Sequence, residues 1–294
     1  MSSVATTAAA PALPRAGHPR RPSTLTVYRW ELRKQRAQKR TYLGFGLAVL
    51  FPLIFVVFEN LHQRHGHGGN LSVFSEQITA SGLATPVLTL EFLSLFMLPL
   101  IASLVAGDIV AAEDGNGTLK TILTRSVDRG QVFAAKALAA LSYATAAVYL
   151  SALVATVGGV ASWGFHPVRT LSGTYVSASE ALLLVVAANA IYMIPLLAVV
   201  AIGVLLSTAT RNSAASVVGA VGFVILLYIV SGIPGLEGIQ PYLLTSQFAG
   251  WHGLLRTPTD WAPIVHSLWV CTLYAGPALF AAYLVFLRRD VAGG

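Results

Sequence analysis

The sequence predicts an all-α integral membrane protein with six transmembrane helices, an amino-terminal interfacial helix and a short cytoplasmic helix between the second and third spans. Of its 294 residues, 55% are hydrophobic and only 11% are charged. Mean hydropathy is +0.69, whereas a soluble domain carries about 25% charged residues. The apolar residues also gather into six stretches, each near the roughly 20 residues that a bilayer requires.

The chain begins with a polar tail and a basic helix. Residues 1–24 are rich in Ala, Pro, Ser and Arg, which is typical of a disordered tail. A helix is predicted over residues 25–40, with Leu25, Tyr28 and Leu32 on one face and basic residues around the rest. This pattern favours a helix in the lipid headgroup region. It disfavours a nucleic-acid-binding arm, because the helix runs directly into a hydrophobic span.

Six spans make up a predicted transmembrane domain over residues 25–290. They cover residues 41–58, 85–111, 132–160, 181–206, 213–233 and 262–287. Pro52, Pro195 and Pro277 lie inside spans and predict kinks, since neighbouring helices can satisfy the freed carbonyls.

The distribution of positive charge predicts the orientation. With both termini cytoplasmic, 16 of the 19 basic residues fall on the inner side, and only Arg64, Arg169 and Arg256 fall outside. The positive-inside rule therefore predicts a multi-pass protein of the cytoplasmic membrane with both termini inside. The last outer loop, residues 234–261, is rich in aromatic residues. It is expected to hold either short helices that dip into the outer leaflet or a belt of aromatic side chains.

Polar residues inside spans are candidates for a transport pathway, because burying them in lipid is costly. Glu91 lies in the outer third of the second span, and Asn189 lies in the middle of the fourth. Asp108 lies near the inner end of the second span. It is expected to be solvated or to pair with Lys120 or Arg125.

Metal and redox chemistry have little support in the sequence. His62, His65 and His67 follow Glu59 with a spacing that could hold Zn or Cu. The surrounding glycines favour a solvated loop instead, so these histidines are weak candidates. Cys271 is the single cysteine of the chain, which excludes an internal disulfide framework.

The polar segment 113–136, between the second and third spans, is the candidate docking site for a soluble partner. Residues 118–124 can form two helical turns with Leu119 on the apolar side and Lys120 on the polar side. Glu113 is expected at the positive end of that helix dipole, with Arg125 and Arg129 beyond its negative end. Gly115 and Gly117 are too close together for a phosphate-binding loop. We therefore expect no nucleotide cofactor and no enzymatic activity in this chain.

The same segment resembles the ABC-2 type permeases, the membrane subunits of ATP-binding-cassette exporters. The residues that match the family pattern are Glu113, Gly117, Thr118, Leu119, Arg125, Val127, Arg129 and Lys136. Ser126 stands where the family often has Pro, and the spacing around Asn116 is looser. The stretch from Trp30 to Lys34 is also similar to the amino-terminal helix of these permeases.

The resemblance implies a permease that pairs with a second copy or a homologous permease and is powered by a separate cytoplasmic ABC ATPase subunit. The short helix would be the coupling helix, and membrane lipid would be the other partner; no nucleic acid is expected. The residues implied in ATPase docking are Glu113, Gly117, Thr118, Leu119, Lys120, Arg125, Arg129 and Lys136.

Other functions remain open from the residues alone. One is a non-transporting membrane anchor or sensor, and another is a proton-coupled carrier that uses Glu91. The aliphatic and small residues of the spans favour a hydrophobic or amphipathic cargo for export.

Overall fold

The structure, a computed structural model, describes residues 23–64, 80–118 and 128–288. These residues form a bundle of helices with one small hairpin. The helices are α1 (Thr24–Arg36), α2 (Lys39–Arg64), α3 (Ala84–Ser94), α4 (Met97–Ala106), α5 (Ala111–Gly115), α6 (Arg129–Trp163), α7 (Ala178–Thr210), α8 (Ser213–Ser231) and α9 (Ala262–Leu287). Strands β1 (Val168–Arg169) and β2 (Tyr175–Val176) pair antiparallel. Two 3-10 helices, Gln240–Tyr242 and Leu244–Leu255, precede α9.

Five helices are long and apolar enough to cross a membrane, namely most of α2 together with α6, α7, α8 and α9. The predicted second span is the exception, because α3 and α4 meet at a bend of 63°. Counted as one broken span, this pair gives the six predicted spans. The all-α membrane fold is therefore confirmed, and the second span, predicted over residues 85–111, is broken by this bend.

The break in the second span has a clear local cause. Pro99 has no N–H, so the carbonyl of Leu95 has no helical donor. The carbonyl of the preceding residue, Ser94, accepts a hydrogen bond from the hydroxyl of Tyr192 on α7, at 2.8 Å. A proline and an inserted side chain are the usual causes of sharp kinks. Pro99 was a signal of this break that the sequence already contained.

The amino-terminal helix also differs from its prediction. It begins at Thr24, where the side chain of Ser23 accepts a hydrogen bond from the backbone N–H of Thr26, and it ends at Arg36. The buried residues are Val27, Glu31 and Gln35, spaced four apart on the face that packs against α6. Of the predicted apolar face, Tyr28 and Leu32 pack against the core, whereas Leu25 is more than half exposed.

The fourth span, α7, is the centre of the bundle. It packs against α4, α6, α8, α9 and the longer 3-10 helix. In its most apolar stretch, 61% of the residues are buried, compared with 17% for α8. The helix ends at Thr210. The next residue, Arg211, takes a left-handed φ of 56°, and Asn212 then caps α8. The two helices are therefore joined by a turn of only two residues.

The prediction for the last outer loop is confirmed in part, since residues 234–261 do contain short helices. The longer one, Leu244–Leu255, buries Phe248 and Trp251 against α7 and α9. The backbone N–H of Leu171, which follows β1, donates to the carbonyl of Leu255 at 2.9 Å. The hairpin and this 3-10 helix therefore lie together at one end of the bundle, which we call the aromatic end.

Candidate functional site

A cluster of four charged side chains lies at the other end of the bundle, which we call the charged end. The Lys136 cluster consists of Glu31 and Lys34 on α1, Glu113 on α5 and Lys136 on α6. The side chain of Lys136 is completely buried. Its Nζ lies 3.1 Å from Oε1 of Glu31 and 2.6 Å from Oε1 of Glu113. Lys34 forms a further ion pair with Glu113.

Lys136 also donates a hydrogen bond to the backbone carbonyl of Ile109, at 3.2 Å. Its ammonium group, which has three donors, thus meets three acceptors, one from α1 and two from the end of the second span. Charge-assisted hydrogen bonds of this kind are stronger than neutral ones. The cluster fixes α1, the end of the second span and the third span in one arrangement.

The two acids and two lysines balance each other in charge, which a buried site requires. Burial lowers the pKa of Lys34 from 10.5 to about 8, and the nearby charge of Lys136 lowers it further in the same direction. The attraction of Glu31 acts against this shift but does not cancel it. Lys34 therefore loses its proton at mildly alkaline pH.

A second group of polar side chains lies next to the first and joins three spans. The Asp108 cluster consists of Asp108, Arg40 and Ser213. The buried carboxylate of Asp108 forms an ion pair with Arg40 at the start of α2 and accepts a hydrogen bond from Ser213 at the start of α8. Of the two alternatives predicted for Asp108, the structure shows the pairing with a basic residue, here Arg40, and the side chain is only 2% exposed. Lys120 and Arg125 lie outside the described residues.

Ser207 of α7 supports the backbone between these two clusters. Its Oγ accepts hydrogen bonds from the backbone N–H groups of Val110 and Ala111, at 3.1 and 3.0 Å. These donors stand at the start of α5, where a helix leaves N–H groups without partners. Gly107 lies just before this turn, and a Cβ there would lie 2.8 Å from the backbone nitrogen of Val217. Only glycine allows α8 to approach the second span so closely.

Two predicted docking residues are buried within the Lys136 cluster. The side chain of Glu113 is buried and points to Lys34 and Lys136. Lys136 is buried with it. Docking itself stays a prediction, and these two residues can act in it only by positioning their neighbours.

The other predicted docking residues lie at the edges of the docking segment or within it. Thr118 is exposed, and its hydroxyl donates to the carbonyl of Glu113 at 3.2 Å. Arg129 starts α6 and donates to the carbonyl of Leu287, at the end of α9, at 2.8 Å. Gly117 has a positive φ of 67°, which suits glycine in this turn. Leu119, Lys120 and Arg125 lie outside the described residues.

The predicted pathway residues lie away from this end. Glu91 is partly exposed near the aromatic end, where its carboxylate lies 2.7 Å from Nε2 of His252. Asn189 is buried, and its side-chain amide donates to the carbonyl of Val185 in its own helix, at 2.8 Å. The structure does not bring the two residues into one polar group. Their role in a pathway stays a prediction.

Two of the three histidines that were weak metal candidates lie outside the described residues. His65 and His67 lie outside the described residues, and His62 lies in the last turn of α2. Within the described ranges, no group of three His, Cys, Asp or Glu side chains could hold a metal ion.

Sequence reasoning missed the importance of Glu31, the partner that explains the buried Lys136. A signal was available, since Glu31 is the single acid in the strongly basic stretch 25–40. An isolated acid of this kind suggests a specific cationic partner. The pairing of Asp108 with Arg40 had no comparable local signal.

Comparison with known proteins decides the family. Residues 28–235 match the family model described as ABC-2 family transporter protein, which covers more than half of the chain. The chain belongs to the ABC-2 transporter family. This match contains all members of the Lys136 and Asp108 clusters. The family match confirms the resemblance of residues 113–136 to the ABC-2 type permeases.

A curated relative agrees with this assignment. The ABC-2 permease is 35% identical over 101 residues to a probable ABC transporter permease protein, NosY, of Stutzerimonas stutzeri. The matched stretch covers 31% of this chain and 37% of NosY. The apolar helices of the ABC-2 permease make it a multi-pass membrane protein.

Proposed function

We propose that this chain exports a hydrophobic or amphipathic substrate across the cytoplasmic membrane, driven by a separate ATPase that docks at the charged end. In this proposal both termini are cytoplasmic, the chain itself binds no cofactor and no nucleic acid, and a second permease completes the transporter within the lipid bilayer. Residues 25–290 act as one transmembrane domain behind a polar tail.

The observation that carries the proposal is the anchoring of the docking segment on both sides. On one side, Glu113 is held by Lys34 of α1 and Lys136 of α6. On the other side, Arg129 is held by the end of α9. A movement of residues 118–128 would therefore reach several spans at once.

The Asp108 cluster extends this connection to two further spans. Arg40 links the end of the second span to α2, and Ser213 links it to α8. Packed side chains and ion pairs are the physical means by which distant parts of a protein are coupled. The arrangement supports a mechanism in which closure of the ATPase moves the charged end and changes access to the spans.

The first test measures ATPase activity of the full chain co-expressed with a candidate ATPase subunit. Arg125→Glu reverses a charge in the docking segment, and Arg256→Glu makes the same change at the aromatic end, where Arg256 is exposed and pairs with Asp260. We expect co-purification and coupled ATPase activity to be lost in Arg125→Glu and retained in Arg256→Glu. Equal behaviour of the two variants would refute docking at this segment.

The proton-coupled carrier is a weaker alternative, because Glu91 is 45% exposed and already paired with His252. In proteoliposomes that hold the chain alone, we expect no proton flux that depends on Glu91. A proton flux that Glu91→Gln abolishes would favour the carrier instead. A membrane anchor or sensor would show neither this flux nor a coupled ATPase.

A further inference from the structure

The aromatic end contains a cavity of about 280 Å³ that the proposed mechanism has not used. It lies between α3, the β1–β2 hairpin, the start of α7 and the 3-10 helix Leu244–Leu255. Its volume is at the lower end of small-molecule sites, which span roughly 300 to 1,000 Å³. Four separate chain segments form its wall, and its size suits a small ligand.

The interior of this cavity is apolar. Eleven of the fifteen lining residues are apolar, among them Leu83, Leu88 and Ala181, which are buried. The hydroxyl of Thr170, a polar lining residue, already shares a hydrogen bond with the hydroxyl of Thr174, at 2.7 Å. Such an interior favours an alkyl chain and disfavours water, which needs two to four polar partners.

The two charged residues that are acid and base on the wall, Glu91 and Arg169, differ in whether they have a partner. The carboxylate of Glu91 lies 2.7 Å from Nε2 of His252, and with a protonated imidazole this pair has no net charge. Arg169 has no ion pair and no side-chain hydrogen bond with any residue that the structure describes. Its positive charge is therefore available to a ligand.

Arg169 lies where the cavity opens to the surface. The residue is exposed, whereas Leu83 and Leu88 of the inner wall are buried. Its guanidinium lies beside Gly173 in the turn of the β1–β2 hairpin. In the proposed orientation Arg169 is also one of only three basic residues on the outer side, where the charge bias disfavours them. A basic residue at such a position, with no acid of its own among the described residues, favours an external anion.

We propose that this cavity binds an anionic amphiphile, whose alkyl chain fills the apolar interior and whose carboxylate or phosphate head pairs with the guanidinium of Arg169. The planar fork of a guanidinium matches both kinds of head group. The amphiphile is either exported cargo, which rests on the proposed function and narrows its substrate class, or an anionic membrane lipid. Both sources present the same chemistry to the site, namely an alkyl chain and one anion.

The test uses three photoactivatable probes on the purified full chain in an uncharged detergent. Each probe has a decyl chain with a diazirine near its tail, and the head is a carboxylate, a hydroxyl or an ammonium group. Labelling of the peptides that contain residues 83–88 and 181–184 is measured by mass spectrometry against probe concentration. We expect the carboxylate probe to half-saturate at about tenfold lower concentration than the alcohol, the lower end for a hydrogen bond to a charged group. The ammonium probe should bind most weakly.

Variants separate the cavity from general partition into apolar surfaces. Arg169→Gln should abolish the preference for carboxylate over alcohol, whereas Arg256→Gln should keep it, because Arg256 already pairs with Asp260 at 3.1 Å. Val87→Trp fills the cavity from a partly buried position on α3 and should prevent labelling by all three probes. Val186→Trp makes the same change at a site on α7 that is 50% exposed and outside the lining, and should have no effect.

The two sources are distinguished by adding an excess of a diacyl phosphatidylglycerol. Competition with the carboxylate probe identifies a lipid phosphate as the anion, and lack of competition identifies a free single-chain amphiphile. Equal half-saturation by carboxylate and alcohol, tighter binding of the ammonium probe, or an unchanged preference in Arg169→Gln would overturn the proposal. These measurements need no ATPase, so their failure would leave the proposed transport function untouched.

Discussion

Lys136 of the third span donates a hydrogen bond to Glu31 of the amino-terminal helix at 3.1 Å, across 105 residues of sequence. The same ammonium lies 2.6 Å from Glu113 at the end of the second span. This contact turns a basic surface helix into part of the bundle. Glu113 and Lys136, two residues of the family pattern, therefore lie in the interior.

Lys136→Met should strongly destabilise the protein, because it leaves the carboxylates of Glu31 and Glu113 buried without their main partner. Breaking a buried ion pair in this way costs about 3–5 kcal/mol. Unfolding of the detergent-solubilised chain measures the effect, with Lys39→Met at an exposed lysine as the control. Neutralising both acids as well, by Glu31→Gln and Glu113→Gln, should recover much of the loss. Wild-type stability of Lys136→Met alone would contradict the cluster.

Lys34 should lose its proton at an unusually low pH, because burial lowers its pKa to about 8. Its ion pair with Glu113 is then present below about pH 8 and lost above it. The unfolded chain keeps this proton up to the ordinary pKa of 10.5, so between these values the unfolded state binds more protons. The contribution of Lys34 to stability therefore rises with pH in that window.

Reductive methylation of the folded protein measures this pKa, since only the neutral amine reacts. The side chain of Lys34 is 38% exposed, so the reagent can reach it. We expect its reaction rate, followed by mass spectrometry, to reach half of its maximum near pH 8. Exposed Lys39 serves as the reference for the reagent. A half-maximum for Lys34 near pH 10.5 would contradict the lowered pKa and would show that its amine is solvated.

Asp108→Asn should weaken the junction of three spans, because Asn cannot form the ion pair with Arg40. We expect a loss of about 3 kcal/mol, at the lower end for a buried ion pair. Hydrogen exchange at the start of α8 should also accelerate, since Ser213 loses a charged acceptor. Asp114→Asn is the matched control, because its ion pair with the mostly exposed Arg211, at 3.6 Å, should contribute at most about 1 kcal/mol. Equal losses in the two variants would argue against the Asp108 cluster.

Ser207→Ala should destabilise the start of α5 far more than its small change in size suggests. Two buried backbone N–H groups, those of Val110 and Ala111, lose their acceptor. Each unsatisfied donor costs about 1–3 kcal/mol. Ser231→Ala removes a hydroxyl that is exposed and bonds only within its own helix, so it should change the unfolding free energy by less than about 0.5 kcal/mol. If both variants unfold alike, Ser207 is not a support of this turn.

The sequence indicated several polar residues of the site but not how their side chains contact each other. The polar segment after the second span stands out in an apolar chain, and it contains both Glu113 and Lys136. Their mutual contact was not predicted, because it depends on how α5 and α6 meet. The bend at Leu95 and Phe96 was missed because hydropathy is averaged over a window and does not register the missing N–H of Pro99.

The sequence by itself determined that this chain is a multi-pass helical membrane protein, because runs of apolar residues can satisfy their backbone in lipid only as helices. It also determined the limits of most spans and, through its motif, the family. Only the tertiary structure decided which charges are buried together and which four segments enclose the cavity beside Trp251. The physical reason is that Glu31, Glu113 and Lys136 meet across long stretches of chain, and no local pattern encodes the packing that brings them within hydrogen-bond distance.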